Sequence, residues 1–266
     1  MSDINVSTAG SVAHVTLNRS ETLNALRRQT FEELTDAIAT LSADRSVRAM
    51  VLTGSGRAFC SGADLSDPMM GSHLPVEERS AACAAVLDTL MNRTIRAIRN
   101  APFPTVAAVN GVAAGGGAGL ALAADIVVAG KSGRFVQTFT PKLALVPDLG
   151  STWHLARHLG RARALGLVLS GEVLDGERAA ALGLIWKCVP DEELAAEAGR
   201  IAEQLAAGPN TAQLAARRLV DAAFDNDFDQ QLDLERDAQA SLAATEHVQE
   251  AMLAFKEKRA ARFPDR

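Results

Sequence analysis

The chain is poor in aromatic residues and carries no excess of positive charge. It has no tyrosine and two tryptophans among 266 residues, so it offers little surface on which nucleic-acid bases could stack. Its 27 lysines and arginines are outnumbered by 32 aspartates and glutamates, which leaves a net charge of −5. The arginines are scattered and form no basic block. Neither a nucleic acid nor an anionic membrane is therefore expected as a partner.

Cysteine is scarce as well. Cys60, Cys83 and Cys188 are an odd, widely spaced set without a CxxC pair. Zinc sites use closely spaced cysteine and histidine ligands, so no metal is expected. A chain of this size does not depend on disulfides, and its first residues show neither the basic nor the apolar part of a secretory signal. These observations predict a cytoplasmic protein.

One apolar run, residues 105–130, is long enough to cross a bilayer. It contains Asn110, Asp125 and six glycines, however. A central aspartate costs about 3 kcal/mol in a membrane, and alanine and glycine contribute little to insertion. We interpret the run as a buried strand, a turn, a helix and a second strand.

The rest of the pattern alternates strands with helices and then becomes helical. Apolar spacing predicts one helix over 23–41 and another that ends at Ile98. Strands are predicted at 4–7, 12–17, 49–53, 104–109, 126–128, 134–137 and 185–189, and loops at 66–78 and 140–150. Beyond Glu192 the pattern is helical. We expect an α/β core over residues 1–191 and a helical region over residues 192–266.

Two segments rich in small residues follow predicted strands, at 57–65 and 110–117. Small residues let the backbone approach a ligand closely, and amides at the start of a helix lack intrahelical partners. Two such turns facing each other could hold one oxyanion between two N–H groups. Tight packing of strand on helix is the alternative explanation, and glycine content alone does not decide between them.

Other polar residues have plainer explanations. His154 and His158 have the i,i+4 spacing of metal ligands, but no acidic residue stands between them. We interpret them as part of a polar helix face near the surface. Cys60 and Ser61 lie in a glycine-flanked turn where a nucleophile is conceivable, and we interpret Cys60 as a small buried apolar residue.

Several segments form a pattern that is highly specific in combination. They are NR…LNAL within 18–26, AFCSGADL (58–65), AVNGVAAGGG (108–117), ADIVVA (124–129), LVPDLGSTW (145–153), GLIW (183–186) and AFKEKR (254–259). With them the chain resembles the crotonase superfamily, the enoyl-CoA hydratase/isomerase family, from about residue 12 onward. The segments RFVQTF and QLDLERD (231–237) make it similar to the 1,2-epoxyphenylacetyl-CoA isomerase branch.

The resemblance implies a crotonase (ClpP/crotonase-like) fold, a spiral of ββα units with a C-terminal helical region that forms homotrimers or hexamers. It implies thioester-enolate chemistry on an acyl-CoA substrate, with no permanently bound cofactor beyond the coenzyme A of the substrate. Ala63 and Gly116 would supply the oxyanion N–H groups. The residues implied in substrate binding are Leu23, Ala25, Ser61, Asp64, Leu65, Phe255 and Lys258, the last two often across a subunit boundary.

The chain departs from this family where hydratases carry two glutamates. The first position is Gly119, and the second is Thr140 or Phe139, because an apparent insertion near Pro141 shifts the count by one. Asp148 remains, and in isomerase-like relatives an aspartate here transfers protons. One carboxylate suffices to move a double bond, given an oxyanion hole. Asp148 could instead cap the helix predicted to begin near Gly150, or act as a nucleophile as in the chlorobenzoyl-CoA dehalogenase type.

The sequence therefore predicts an enoyl-CoA isomerase acting on a double bond or on an epoxyphenylacetyl-CoA. An enoyl-CoA hydratase of fatty-acid β-oxidation and a non-catalytic acyl-CoA binder are the alternatives.

Overall fold

The computed structural model describes residues 2–263. The strands β1–β10 are Ile4–Ala9, Val12–Leu17, Ala49–Gly54, Ala58–Cys60, Thr105–Val109, Val112–Ala114, Ile126–Gly130, Arg134–Val136, Leu174–Asp175 and Lys187–Val189. The helices α1–α10 are Arg28–Ala43, Val76–Val86, Asn92–Arg99, Gly116–Leu122, Ser151–Ser170, Gly176–Ala181, Leu194–Ala206, Asn210–Ala222, Phe228–Ala243 and Glu246–Glu257. In this described part, no helix is long and apolar enough to cross a membrane.

The strands are divided between two sheets by a repeating pattern. One sheet has the order β1-β2-β3-β5-β7-β10 and the other β4-β6-β8-β9. Three times in succession a strand of the larger sheet leads through a short turn into a strand of the smaller one, as β3–β4, β5–β6 and β7–β8. Apart from β1–β2 and β8–β9, the pairings are parallel. The predicted α/β spiral of ββα units is therefore confirmed.

Parallel strands need cover on both faces, and two groups of helices supply it. The main core lies between the sheets and helices α1, α3, α4 and α5. Helix α7 covers the other face of the larger sheet, where Leu194, Ala198 and Ile201 join a cluster with Val51 and Val106. By contrast, α9 has no buried side chain. The boundary at residue 191 stays a prediction, and residues 264–266 of the proposed helical region lie outside the described residues.

The helix predicted over 23–41 begins later than expected. Leu23 and Asn24 are left-handed, with φ of 55° and 58°, and Leu26 pairs with Ala63 as a parallel bridge. Helix α1 begins only at Arg28. The apolar spacing continues across this loop because Leu26 is buried and pairs with Ala63 in the segment after β4, so burial and not helical geometry explains the pattern.

The segment predicted as a loop over 140–150 contains one wide helical turn at Phe139–Leu143, in which hydrogen bonds span five residues. Such a turn accommodates one extra residue within a helical segment. It coincides with the insertion inferred near Pro141. The chain then passes through Leu149 and Gly150, both left-handed, into α5.

Candidate active site

The N–H of Ala63 is left free by the pairing with Leu26. The Leu26 N–H donates to the Gly62 carbonyl, and the Leu26 carbonyl accepts from the Asp64 N–H, each at 2.8 Å. These two bonds flank Ala63, so in a parallel pair the Ala63 amide faces the other way. Within residues 2–263 it has no hydrogen-bond acceptor, and Ala63 lines a cavity.

Gly116 presents a second free amide. It is the first residue of α4, and the first N–H groups of a helix have no intrahelical acceptor. Gly115 before it has φ 52° and ψ −121°, a conformation that favours glycine. The Gly115 N–H donates to the Val136 carbonyl at 2.9 Å, which holds the turn against β8. The Gly116 N–H finds no acceptor in the described part of the chain.

Gly62 allows these two turns to touch. It has φ 96°, and a Cβ atom there would lie 2.8 Å from the Ala114 carbonyl oxygen and 3.6 Å from the Gly116 nitrogen. Any side chain would force the turns apart. Ala63 and Gly116 thus stand on adjoining segments that line the same cavity, which is the arrangement that two donors to one oxyanion require.

Asp148 lies directly beside Gly116 and lines the same cavity as Ala63. A Cβ atom on Gly116 would be 3.9 Å from Asp148 Oδ1. That oxygen is buried and has no hydrogen-bond partner among the described residues. Burial raises the pKa of Asp148 from 3.8 to about 6, because the charged carboxylate loses its hydration.

The sequence left open that the Asp148 side chain caps helix α5, and the structure shows that it does not. Gly150 is the residue before α5, and no side chain caps that helix. The Ser151 N–H donates instead to the main-chain carbonyl of Asp148 at 2.9 Å. Leu149, buried with φ 49°, turns the chain so that the carboxylate faces the cavity. A leucine in this conformation stores strain, which is common where a turn aims a functional group.

The cavity has a volume of about 240 Å³. One side, here called the catalytic wall, is formed by Ser61, Gly62, Ala63, Gly115, Gly116, Thr138 and Asp148. The other side, the acyl wall, is formed by Leu65, Met69, Met70, Val86, Leu87 and Met91, and Phe139, Leu143 and Leu145 add apolar surface. Asp148 is the one acidic side chain among the described lining residues.

The segments predicted to bind coenzyme A meet at the mouth of the catalytic wall. The Leu23 carbonyl accepts the Ser61 N–H at 2.9 Å, and the Ser61 hydroxyl donates to the Thr22 carbonyl at 3.1 Å. Ala25 is buried, whereas Leu65 is 55% exposed and lines the cavity. The Ser61 hydroxyl is already committed, and the described residues that line the cavity include no histidine to activate it. We therefore do not interpret Ser61 as a nucleophile.

Arg19 and Asp64 connect these segments. The Arg19 guanidinium donates to the Ala25 carbonyl at 2.6 Å and to Asp64 Oδ2 at 3.1 Å. Hydrogen bonds from Ser66 and Arg19 lower the pKa of Asp64. Asp64 therefore serves as a structural anion in this arrangement, and its predicted contact with coenzyme A stays a prediction.

Asn24 is a site residue that the sequence analysis did not single out. It is 1% exposed. Its side-chain amide donates to the carbonyls of Ser55 and Ala58 at 2.9 and 2.8 Å, and its oxygen accepts from the Arg19 N–H. It thereby ties the loop before α1 to the turn before β4. Its place between two leucines in the LNAL motif was the available signal.

Phe255 and Lys258 are not brought to the cavity within a single chain. Both lie at the C-terminal end of α10, where Phe255 is 86% exposed and Lys258 ends the helix with φ 55°. Neither lines the cavity. Their predicted contact with coenzyme A across a subunit boundary stays a prediction.

The structure leaves no room for a glutamate at the first hydratase position, Gly119, and has Phe139 or Thr140 at the second. A Cβ on Gly119 would lie 2.8 Å from the Leu149 carbonyl oxygen and 2.9 Å from the Ser151 hydroxyl oxygen. Phe139 is buried at the second position and lines the cavity, and Thr140, the alternative, does not line it. A second carboxylate is thus missing, and the space that the first would need is occupied by the turn that carries Asp148.

Two predictions about other polar groups have different outcomes. Cys60 is fully buried, as predicted, and burial raises the pKa of its thiol to about 12. His154 is 4% exposed, so the prediction of a surface face is wrong for it. Burial, with Arg99 and His158 nearby, lowers its pKa to about 3. That face of α5 lines a cavity together with residues of α8.

His154 lines a larger cavity of about 480 Å³ between α3, α4, α5 and α8. Its charged groups are already paired, as in the Arg217–Asp125 contact at 2.8 Å and the Arg99–Asp221 contact at 2.8 Å. Neither Asp148 nor the free amides line this cavity. The smaller cavity, where free donors and an unpaired carboxylate converge, is therefore the candidate active site.

Comparison with known proteins identifies the family of this chain. The profile of the enoyl-CoA hydratase/isomerase family matches residues 7–266. The 1,2-epoxyphenylacetyl-CoA isomerase of Escherichia coli K12 is 40% identical over 95% of this chain and 94% of its own. A protein of Rhodobacter capsulatus named a probable enoyl-CoA hydratase is 42% identical over 96% of this chain and 95% of its own.

The solved structures place the whole chain in the same fold. An enoyl-CoA hydratase from Polaromonas sp. JS666 superimposes with a TM-score of 0.90 and 32% identity, covering 98% of this chain and 99% of that one. The chain therefore belongs to the enoyl-CoA hydratase/isomerase family and has the crotonase fold.

Proposed function

We propose that this protein is an enoyl-CoA isomerase that uses Asp148 as its single proton carrier. The observation that carries the proposal is the Asp148 carboxylate, whose Oδ1 is buried, unpartnered and adjacent to Gly116. A buried acid without a hydrogen bond destabilises the fold, so its presence in a cavity points to chemistry.

The thioester carbonyl oxygen would accept hydrogen bonds from the amides of Ala63 and Gly116. These donors are held by the backbone pairings of their turns and need little reorganisation when charge develops on the oxygen. Removal of one such donor typically costs about 3–4 kcal/mol of transition-state stabilisation.

Asp148 would then move one proton. From a 3-enoyl-CoA it takes a proton at C2, and the C–H electron pair enters a dienolate whose negative charge lies on the thioester oxygen. The protonated Asp148 returns that proton to C4, and the double bond shifts from C3–C4 to C2–C3. No atom is gained or lost. A pKa of about 6 leaves the carboxylate ionised at neutral pH while keeping it a useful base.

The substrate could alternatively be an epoxyphenylacetyl-CoA, as the name of the relative 1,2-epoxyphenylacetyl-CoA isomerase suggests. The acyl wall is apolar and contributes three methionines, Met69, Met70 and Met91. Flexible methionine side chains adapt to bulky groups, including aryl groups. An aryl acyl-CoA is therefore compatible with the walls of this cavity.

Hydration of a 2-enoyl-CoA is the second candidate, favoured by the name of the 42% identical relative. Water addition by two glutamates would require acids at Gly119 and at Phe139 or Thr140, and none is present. The same single carboxylate could also attack as a nucleophile, as in dehalogenases, but the carboxylate adjoins Gly116, whose backbone amide is suited to an enolate oxygen.

The experiment is to incubate the enzyme separately with a 3-enoyl-CoA and with crotonyl-CoA, and to follow product mass and ultraviolet absorbance. We expect the 3-enoyl-CoA to become its 2-enoyl isomer at constant mass, with hydration slower by orders of magnitude. Rapid gain of one water by crotonyl-CoA would establish the hydratase instead, and a covalent adduct on Asp148 would establish a nucleophile. Binding of the thioesters without turnover of either one would show that the protein is a non-catalytic acyl-CoA-binding protein.

We also propose that the protein assembles as a homotrimer or as a hexamer of paired trimers. The C-terminal helices expose apolar side chains that one chain leaves uncovered: Phe228 is 76%, Met252 63% and Phe255 86% exposed. Uncovered apolar helix faces are typical of subunit interfaces. Light scattering that shows a stable monomer at micromolar concentration would overturn this, together with the cross-subunit roles of Phe255 and Lys258.

A further inference from the structure

We propose that the Thr138 hydroxyl binds an oxygen atom carried on one of the first carbons of the acyl group. The preferred substrates are then acyl-CoA thioesters with a hydroxyl or epoxide oxygen close to the thioester. The proposal rests on the proposed function only for the identity of the cavity as the acyl-CoA site.

Thr138 stands at the reacting end of the cavity. Its Oγ1 would lie 3.1 Å from a Cβ atom placed on Gly115, the residue immediately before the proposed oxyanion donor. Asp148 Oδ1 would lie 3.9 Å from a Cβ atom placed on Gly116. The hydroxyl and the carboxylate therefore adjoin consecutive residues of one turn, and a thioester held there places its first acyl carbons near both.

The Thr138 hydroxyl has no hydrogen-bond partner among the described residues. Thr138 is half-buried, and its hydroxyl forms no hydrogen bond with any residue in 2–263. Its main-chain carbonyl, in contrast, accepts the Lys142 N–H at 3.2 Å in the wide turn. The turn is thus held by the backbone, and the hydroxyl is left free to contact a ligand.

The remaining polar side chains of the cavity are accounted for. The Ser61 hydroxyl donates to the Thr22 carbonyl, and Asp148 is the proposed base. Lys142 and Cys83 are exposed, so water reaches them. Thr138 is left as the half-buried, uncommitted hydroxyl of the catalytic wall.

The Thr138 hydroxyl distinguishes acyl groups by whether they offer it a hydrogen bond when the substrate is bound. A hydrocarbon chain that covers it removes water and offers no replacement hydrogen bond, whereas an acyl oxygen restores one. A neutral hydrogen bond of this kind is equivalent to about a tenfold difference in affinity. Sites built to pair a substrate hydroxyl reject analogues without it.

The test uses thioesters that cannot isomerise: butyryl-CoA, 2-hydroxybutyryl-CoA and 3-hydroxybutyryl-CoA, each hydroxy ester as both enantiomers. Dissociation constants are measured by isothermal titration calorimetry on the full chain. We expect the unmutated protein to bind at least one hydroxy ester about tenfold more tightly than butyryl-CoA. Thr138→Val, which keeps the shape and removes the hydroxyl, should lower that ratio to about one, and Thr138→Ser should keep it.

Thr140→Val is the matched control. Thr140 is a half-buried threonine of the same turn that does not line the cavity, so the ratio should stay at its original value. A ratio near one for every hydroxy ester in the unmutated protein, or a preference that survives Thr138→Val, overturns the inference. Circular dichroism confirms that each variant is folded.

Failure of this inference is distinguishable from failure of the proposed function. An enzyme that isomerises a 3-enoyl-CoA but shows no hydroxy preference refutes the inference alone. A hydroxy preference that depends on Thr138, in a protein that does not isomerise, refutes the isomerase assignment alone.

Discussion

The catalytic wall and the acyl wall of the cavity are held in different ways. The catalytic wall is made of turns tied by backbone hydrogen bonds, such as Gly115 to Val136 and Ser61 to Leu23, and the nearby Asn24 is completely enclosed. The acyl wall includes the end of α2, which has no buried side chain, and the wide helical turn Leu87–Met91.

The contrast shows how one protein can combine fixed chemistry with an adaptable substrate range. Donor amides stabilise an enolate only when they are held in place before the reaction. An apolar wall of methionine and leucine side chains contributes binding without such precision, because Met is flexible. Changes in the catalytic wall should therefore abolish turnover, whereas changes in the acyl wall should alter preference.

The largest effect is expected for Asp148→Asn. The amide keeps the shape of the side chain but cannot accept the proton, so isomerisation should fall by roughly 10²–10⁴-fold. Binding of a saturated acyl-CoA should persist, which calorimetry measures. Isomerisation that is unchanged in Asp148→Asn would show that another group is the base.

The same variant should be more stable, which serves as its control for folding. The pKa of Asp148 is raised from 3.8 to about 6 in the folded protein. The folded state thus binds the proton more tightly, and stability is lost as the pH rises through this interval. At pH 7 the buried charge is unfavourable, and its removal should raise the free energy of unfolding by roughly 1–2 kcal/mol. Urea denaturation at pH 7 measures this.

A smaller but still severe loss is expected for Gly116→Val. A Cβ at this position lies 3.0 Å from Leu149 Cδ1 and 3.9 Å from Asp148 Oδ1. The valine methyl groups would enter the space between the donor amide and the base, and turnover should fall on the order of 10²-fold. Turnover is measured after circular dichroism has verified the fold. Comparable turnover in the folded variant would mean that the turn is only structural.

Gly119→Glu should fail to create a hydratase. Its Cβ would already press on the Leu149 carbonyl and the Ser151 hydroxyl, so the variant should lose on the order of 1–3 kcal/mol of stability from overpacking. Crotonyl-CoA should gain no water faster than with the unmutated enzyme. Gly119→Ala separates the two effects, because it adds the Cβ without the carboxylate. Fast hydration of crotonyl-CoA by Gly119→Glu would contradict the interpretation that Leu149 occupies the space needed by a side chain at position 119.

The pH dependence should report one ionisation of the catalytic wall. Burial raises the pKa of Asp148 to about 6. With Asp148 as the proposed base, kcat/KM should rise about tenfold per pH unit below 6 and level off above it. Isomerisation rates between pH 4.5 and 8 test this. A rate that is constant across the range would argue against a carboxylate with a raised pKa.

The smallest effect is expected in the acyl wall, for Val86→Ala. Val86 is half-buried and lines the cavity. Loss of its two methyl groups should raise KM for acyl groups that reach it by a few-fold, with kcat little changed, because this contact is equal in the ground and transition states. A kcat loss as large as that of Gly116→Val would remove the distinction between the two walls.

Short motifs predicted the parts of the site that depend on local geometry. Gly115 and Gly116 follow a strand and open a helix, and small residues at 61–63 follow another strand. Neighbouring strands of a parallel sheet bring such turns to the same edge, as the parallel pairing of β4 with β6 does here. The assignment of Ala63 and Gly116 as donors to one oxyanion came from the family resemblance and stays a prediction. The βα pattern and the family resemblance together predicted the spiral.

Predictions from hydrophobic periodicity were wrong where a side chain is buried by residues far away in the sequence. The leucines at 23 and 26 have helical spacing, but they pair with residues near 61–64, which lie far along the chain. His154 was expected at the surface, but it is 4% exposed and lines a cavity that α8, more than fifty residues later, helps to form. No local pattern contains the information about which element will cover a side chain.

The sequence by itself determined which groups are available: two glycine-rich turns, one aspartate where relatives transfer protons, and no acid at the hydratase positions. Only the tertiary structure decided where the Asp148 carboxylate lies. Its helix could have used it as a cap, yet Gly150 takes that position and a left-handed Leu149 turns the carboxylate toward Gly116. The reason is physical: the charge, burial and freedom of a carboxylate depend on neighbours from several segments, and only folding brings those neighbours together.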